Sequence, residues 1–162
     1  PNHIGQFYFE YARREMMIRP INRYEDRDGN IYVISPGYFR PFSGGRGIFN
    51  MRYEFSIDNT EGKNWENIGN RFALNLLVPL PFIDKMSLTI SGDVFWQRYQ
   101  HTHTVFEEKR KDTTYFVSGG LIWEFLKELN LNLKYSYTRA DSSIGVYDYR
   151  RNVYNIGLEY IF

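Results

Sequence analysis

Residues 152–162 read NVYNIGLEYIF, and this stretch decides the fold. Side chains of an extended chain point alternately to opposite sides, so Tyr154, Ile156, Leu158, Tyr160 and Phe162 share one face, opposite Asn155, Gly157, Glu159 and Ile161. A terminus in water usually frays into a polar tail. Here aromatics sit near both ends of the apolar face, and the stretch itself ends on Phe162.

Working back from that strand, the same period of two recurs. The cleanest example is 49–58, where Phe49, Met51, Tyr53, Phe55 and Ile57 alternate with Asn50, Arg52, Glu54, Ser56 and Asp58. A first strand is expected over 4–15, with Phe7, Phe9 and Tyr11 opposite Gln6, Tyr8 and Glu10, and a second over 30–41, where Pro36 and Gly37 suggest a bulge. Phe72, Leu74, Leu76 and Val78 mark a fourth. Residues 86–99, 113–125 and 129–138 supply the fifth, sixth and seventh, and 152–162 is the eighth.

The connections show a second regularity. Those after the first, third, fifth and seventh strands are long and polar, including 59–67, the charged run Glu107 to Asp112, and 139–151. Those after the second, fourth and sixth are short, as at Ser43 to Gly47 and Leu126-Lys127-Glu128.

Composition agrees with an all-β chain. Among 162 residues there are 14 Tyr and 13 Phe, residue types that favour strands, and no Cys, which rules out a disulfide framework. Net charge is only +1, from 20 basic and 19 acidic residues, so no global field argues for nucleic acid. No run of 18 or more apolar residues is present, which excludes a transmembrane helix but not transmembrane strands. The chain begins at Pro1 without a leader, which reads as a processed form or a segment of something longer.

Strands of this length, with aromatics at both ends of an apolar stripe and long and short connections in alternation, give the expectation of one domain over 1–162. Its fold is expected to be an antiparallel up-and-down transmembrane β-barrel in an outer membrane, with eight strands in this chain. Eight strands make either a complete small barrel or the last strands of a larger one. A soluble barrel of lipocalin type would alternate in the same way with its apolar side inward.

On the barrel reading, Glu10, Arg52, Glu54, Arg71, Asp93, Glu124, Lys134 and Glu159 face the lumen as a polar network, paired across it because unpaired buried charges are costly. Lys109, Arg110, Lys111, Arg150 and Arg151 are candidates to contact lipid phosphate from the long connections, with Arg13, Arg14 and Arg139 near the same rim. His101 and His103 lie two apart in HTHT, with no third ligand fixed nearby, and read as surface loop rather than metal site. For a hydrolase, His101 with Ser91 or Ser118 is the nearest approach to a nucleophile and base; no catalytic residue, metal or cofactor is assigned. Gly44-Gly45-Arg46-Gly47 lacks the context of a phosphate loop and reads as a turn.

The segment YSYTRADSSIGVYDYRRNVYNIGLEYIF, Tyr135 to Phe162, resembles the last hairpin of Gram-negative outer-membrane β-barrel proteins, including barrels attached to periplasmic tetratricopeptide domains that serve export or surface assembly. The resemblance implies that Tyr154, Ile156, Leu158, Tyr160 and Phe162 form the signal read by the barrel-assembly machinery. The alternation of long and short connections is what places the barrel in an outer membrane with both termini periplasmic and the long loops at the cell surface. The partners implied are membrane lipid and lipopolysaccharide, the assembly machinery and a periplasmic export partner. The role implied is an anchor or passage for export or surface assembly; a compact structural or surface-contact barrel with a filled lumen is the alternative, and a lipid-modifying enzyme a more distant one.

Overall fold

In the computed structural model, residues 3–17 and 19–161 are described. They form one eight-stranded antiparallel sheet in sequence order: β1 (Ile4–Arg14), β2 (Gly29–Phe42), β3 (Gly47–Thr60), β4 (Asn67–Pro79), β5 (Met86–Thr102), β6 (Lys109–Leu126), β7 (Leu129–Ser142) and β8 (Tyr149–Tyr160). Short 3-10 turns at Ser43–Gly45 and Gly145–Tyr147 complete it.

The sheet is open. Each strand pairs with its sequence neighbours, and the pairing begins at β1 and ends at β8 without joining the two. The expected closed barrel is therefore corrected to a meander with two edges. Closure is what would let strands lie in lipid without exposing backbone N–H and C=O groups, and these edges leave a row of such groups unpaired. The inferences that presupposed closure fall with it: the outer-membrane location with periplasmic termini and extracellular loops, the role as anchor or passage or as a filled surface barrel, and the partners lipid, lipopolysaccharide, assembly machinery and export partner. Among the described residues no helix is long and apolar enough to cross a membrane, which has no bearing on strands.

The register sorts the side chains cleanly. Level rows such as Ile34–Phe55–Asn70–Trp96 and Met51–Leu74–Gly92–Val117–Tyr137 run across the strands on one face. Glu54–Arg71–Phe95–Thr114 and Asn50–Asn75–Ser91–Ser118–Ser136 run across the other. Burial is the reverse of a water-soluble sheet. Small polar side chains on the second face are covered, Ser35 to 2%, Ser118 to 4% and Thr138 to 6% exposure, while the apolar face keeps Phe7, Val117, Leu74 and Ile156 exposed.

Several boundaries differ from the sequence reading. β6 takes in Lys109 to Asp112, and β7 runs on to Ser142, so the connections shrink to 61–66, 103–108 and 143–148. The connection 80–85 is then as long as these, and only 15–28 remains distinctly long. Pro36 causes no bulge: the β1–β2 register is continuous from Ile4↔Phe39 to Arg14↔Gly29. Ser35 Oγ donates to the Tyr53 carbonyl at 3.0 Å, supplying beside Pro36 a donor that proline lacks. Register shifts occur instead between Arg98 and Thr102 and between Glu124 and Leu126.

Candidate functional site: the connection cluster around Arg110

At one end of the sheet the four odd-numbered connections pack together, and most of the best-buried residues lie there. The first is zipped to the second by backbone bonds, Glu61 N–H to Asp28 O at 2.7 Å, Gly62 N–H to Asp26 O at 2.9 Å and Asn64 N–H to Tyr24 O at 3.2 Å. A Cβ on Gly62 would lie 2.3 Å from the Asp26 carbonyl oxygen, so this approach requires glycine.

Asn64, 2% exposed, joins three connections. Its amide donates to Glu25 Oε1 at 2.7 Å and to Thr104 Oγ1 at 2.9 Å, and its carbonyl accepts from the Thr104 N–H at 3.1 Å. Trp65 donates its indole N–H to the other oxygen of Glu25 at 2.9 Å, and the Arg27 guanidinium lies 3.6 Å above the Trp65 ring.

Arg110 is the centre. Residues two apart on a strand share a face, so Arg110 and Asp112 on β6 meet as a two-pronged pair, Nε to Oδ1 at 3.0 Å and Nη2 to Oδ2 at 2.5 Å. The guanidinium lies 3.4 Å from the Tyr147 ring, 4.5 Å from Tyr99 and 5.6 Å from Trp65. Its Nη1 is buried without a hydrogen-bond partner among the described residues. Burial pushes the Tyr99 phenol up to about 12, against the pull of the Arg110 charge. His103 closes the fourth connection onto the third, Nε2 to the Tyr147 hydroxyl at 3.2 Å, with Phe106 against its ring at 4.9 Å.

The other candidate residues are distributed differently. Arg52, Glu54, Arg71 and Asp93 form a chain of loose ion pairs on the polar face: Arg52–Glu54 at 3.7 Å, Arg71–Glu54 at 3.8 Å and Arg71–Asp93 at 3.6 Å. Glu124 lies at the opposite end of the sheet, held by Lys85, whose ammonium draws its carboxyl below the usual range. Glu159 stands level with Asn130, Lys134 with Asn155 and Glu10 with Val33, so none joins that chain through its strand neighbours.

Of the basic candidates, Arg110 is committed inside the cluster, and Arg150 and Arg151 face opposite sides, level with Arg139 and Thr138. Lys109 and Lys111 are exposed. Arg14 is held by Asp58 at 2.9 Å, Arg13 by Glu15 at 2.9 Å and Arg139 by Asp141 at 2.8 Å. Tyr154, Ile156, Leu158 and Tyr160 share the exposed apolar face of β8; Phe162 lies outside the described residues.

His101 and His103 part company: His101 Nε2 meets Glu66 at 2.8 Å, and His103 meets Tyr147. Ser91 stands level with Ser118, roughly 30 Å along β5 from His101 at the usual strand rise. Among the described residues no group of three or more His, Asp or Glu could hold a metal. The sequence reading missed Asn64, Trp65, Tyr99 and Tyr147 as a unit; the only local signal was the Arg110, Asp112 spacing of two inside a run that resembled a loop.

A family model described as "Putative beta-barrel porin 2" matches residues 85–162. That segment covers β5 to β8, slightly less than half of the chain. Neither a curated protein nor a solved structure matches. The match carries no tetratricopeptide-linked likeness, and the barrel in that family's description is not formed by these eight strands, whose edges stay unpaired. The resemblance drawn from Tyr135 to Phe162 is corrected accordingly: the described part of this segment, 135–161, belongs to the last hairpin of an open antiparallel sheet.

Proposed function

We propose that this chain is a non-catalytic assembly and recognition module: a sheet built into a larger β-structure through its edges, carrying a rigid cluster of connections at one end. The observation that carries the reading is the reversed burial. Ile156 on the outermost strand is 80% exposed and Phe9 on β1 is 66% exposed, while serines are covered. Contiguous exposed apolar surface on this scale marks an interaction face. An unpaired edge is completed by another strand through main-chain bonds.

The occupant that fits each edge is an antiparallel strand with the same alternation. It would continue the meander and keep apolar side chains on one face and polar ones on the other. β8 offers this pairing without proline or register shift over Tyr149–Tyr160. The connection cluster supports the recognition half of the reading. Four segments cross-braced through Asn64, Arg110 and Tyr147 hold Ile21, Val105 and Val146 exposed at their tips. The engagement of His101 by Glu66, far from Ser91, favours binding over catalysis.

Sedimentation velocity tests the proposal. The chain is expected to self-associate through its edges, and the double variant Phe9→Lys, Ile156→Lys to shift to monomer with unchanged strand content. A chain that stays monomeric at all concentrations and binds no hydrophobic dye would overturn it.

A further inference from the structure

Near the connection cluster, the apolar face changes character. The row Asn70–Trp96–Thr113 is followed by Ile68–Arg98–Lys111, so Arg98 and Lys111 stand directly opposite on neighbouring strands. Like charges so placed repel and cost stability. Among the described residues neither cation has a side-chain ion pair or hydrogen bond, and the Trp96 ring has no aromatic or cation partner. The nearby acids are ion-paired with other cations: Asp112 with Arg110, Asp141 with Arg139 and Glu66 with His101. Trp96, Arg98 and Lys111 border a depression of about 670 Å³ with Asn70, Gln100, Thr113 and Asp112 also lining it, the last neutralised by Arg110.

We propose that this depression binds an acidic saccharide. Trp96, 42% exposed, offers a flat apolar surface for a sugar ring. The Asn70 NH2, whose Oδ1 already accepts from the Tyr53 hydroxyl, the Gln100 amide and the Thr113 hydroxyl can exchange hydrogen bonds with ring hydroxyls. Arg98 and Lys111 together supply the counter-charge for a carboxylate, which removes their mutual repulsion as it binds. A single-stranded nucleic acid also stacks on aromatics, but it needs a continuous basic groove, and here two cations are flanked by neutral amides and by the Arg110-paired Asp112. The volume lies within the range of small-ligand sites.

This inference rests on the recognition reading above, and calorimetry of the full chain with tri-galacturonate tests it separately. Binding is expected, weakened about tenfold or more in Trp96→Ala, in Arg98→Gln with Lys111→Gln, and for a neutral trisaccharide of the same length. An equal affinity for the neutral sugar, no effect of the charge variants, or tighter binding of oligothymidylate would overturn it, as would no binding by a chain whose connections are intact. Connections that stay as protease-resistant in Arg110→Gln as in the parent chain, with galacturonate binding retained, would sink the rigid-cluster reading and spare the saccharide site.

Discussion

The Arg110 guanidinium lies 3.4 Å from the ring of Tyr147, a residue from the last connection of the sheet. It is joined there by Tyr99 from β5 and by Trp65 from the second connection, while Asp112 neutralises it through two hydrogen bonds. One side chain therefore ties segments that are far apart in sequence.

Breaking that pair by Arg110→Met should cost roughly 3–5 kcal/mol, because Asp112, 8% exposed, would be left as an uncompensated buried charge. Tyr147→Phe should cost only about 1 kcal/mol, since it keeps the ring under Arg110 and loses just the contact to His103. Urea unfolding of the two variants checks the order, and limited proteolysis should cut within 143–148 first in the Arg110 variant.

Tyr99 makes stability depend on alkaline pH. Its folded value of about 12 lies above the ordinary 10.0, so the folded chain keeps a proton that the unfolded chain releases. The contribution is complete below pH 10 and is lost as pH rises toward 12, amounting to roughly 2–3 kcal/mol. Tyr99→Phe should flatten the pH dependence of unfolding in that window. Tyrosinate absorbance should show one fewer late-titrating group.

Gly62→Ala should cost roughly 1–3 kcal/mol, since its methyl would sit 2.3 Å from the Asp26 oxygen and part the first two connections. Amide exchange at Glu61, Gly62 and Asn64 should accelerate together. A uniform change across the sheet would contradict the local explanation.

Ser35→Ala should remove the donor that serves the Tyr53 carbonyl beside Pro36, at about 1 kcal/mol. Ser118→Ala, in the same polar layer, is the control for burial alone. Thermal unfolding should show the larger loss for Ser35.

Much of this sheet was legible in the sequence because alternation encodes face. The rows built on Met51, Leu74 and Val117 against Asn50, Asn75 and Ser118 follow directly from a period of two, and eight strands follow from the turns between them. Closure was not legible. Open and closed sheets have identical alternation, and what separates them is whether β1 meets β8, a relation between chain ends that no local pattern encodes. The charged run at Lys109 to Asp112 looked like loop because opposite charges cluster there, yet Arg110 and Asp112 neutralise each other on one face and let β6 continue. The cluster itself was hidden because Asn64 bonds Glu25 and Thr104, some forty residues away in either direction.

Residue-resolved amide hydrogen exchange on the monomeric fraction tests the open sheet most directly. The account predicts that β3 to β6 are protected throughout, whereas along β1 and β8 alternate amides, those pointing away from β2 and β7, exchange as freely as exposed loop amides. Continuous protection of every amide along both β1 and β8 in a monomer would mean that the two edges are paired with each other, and would contradict it.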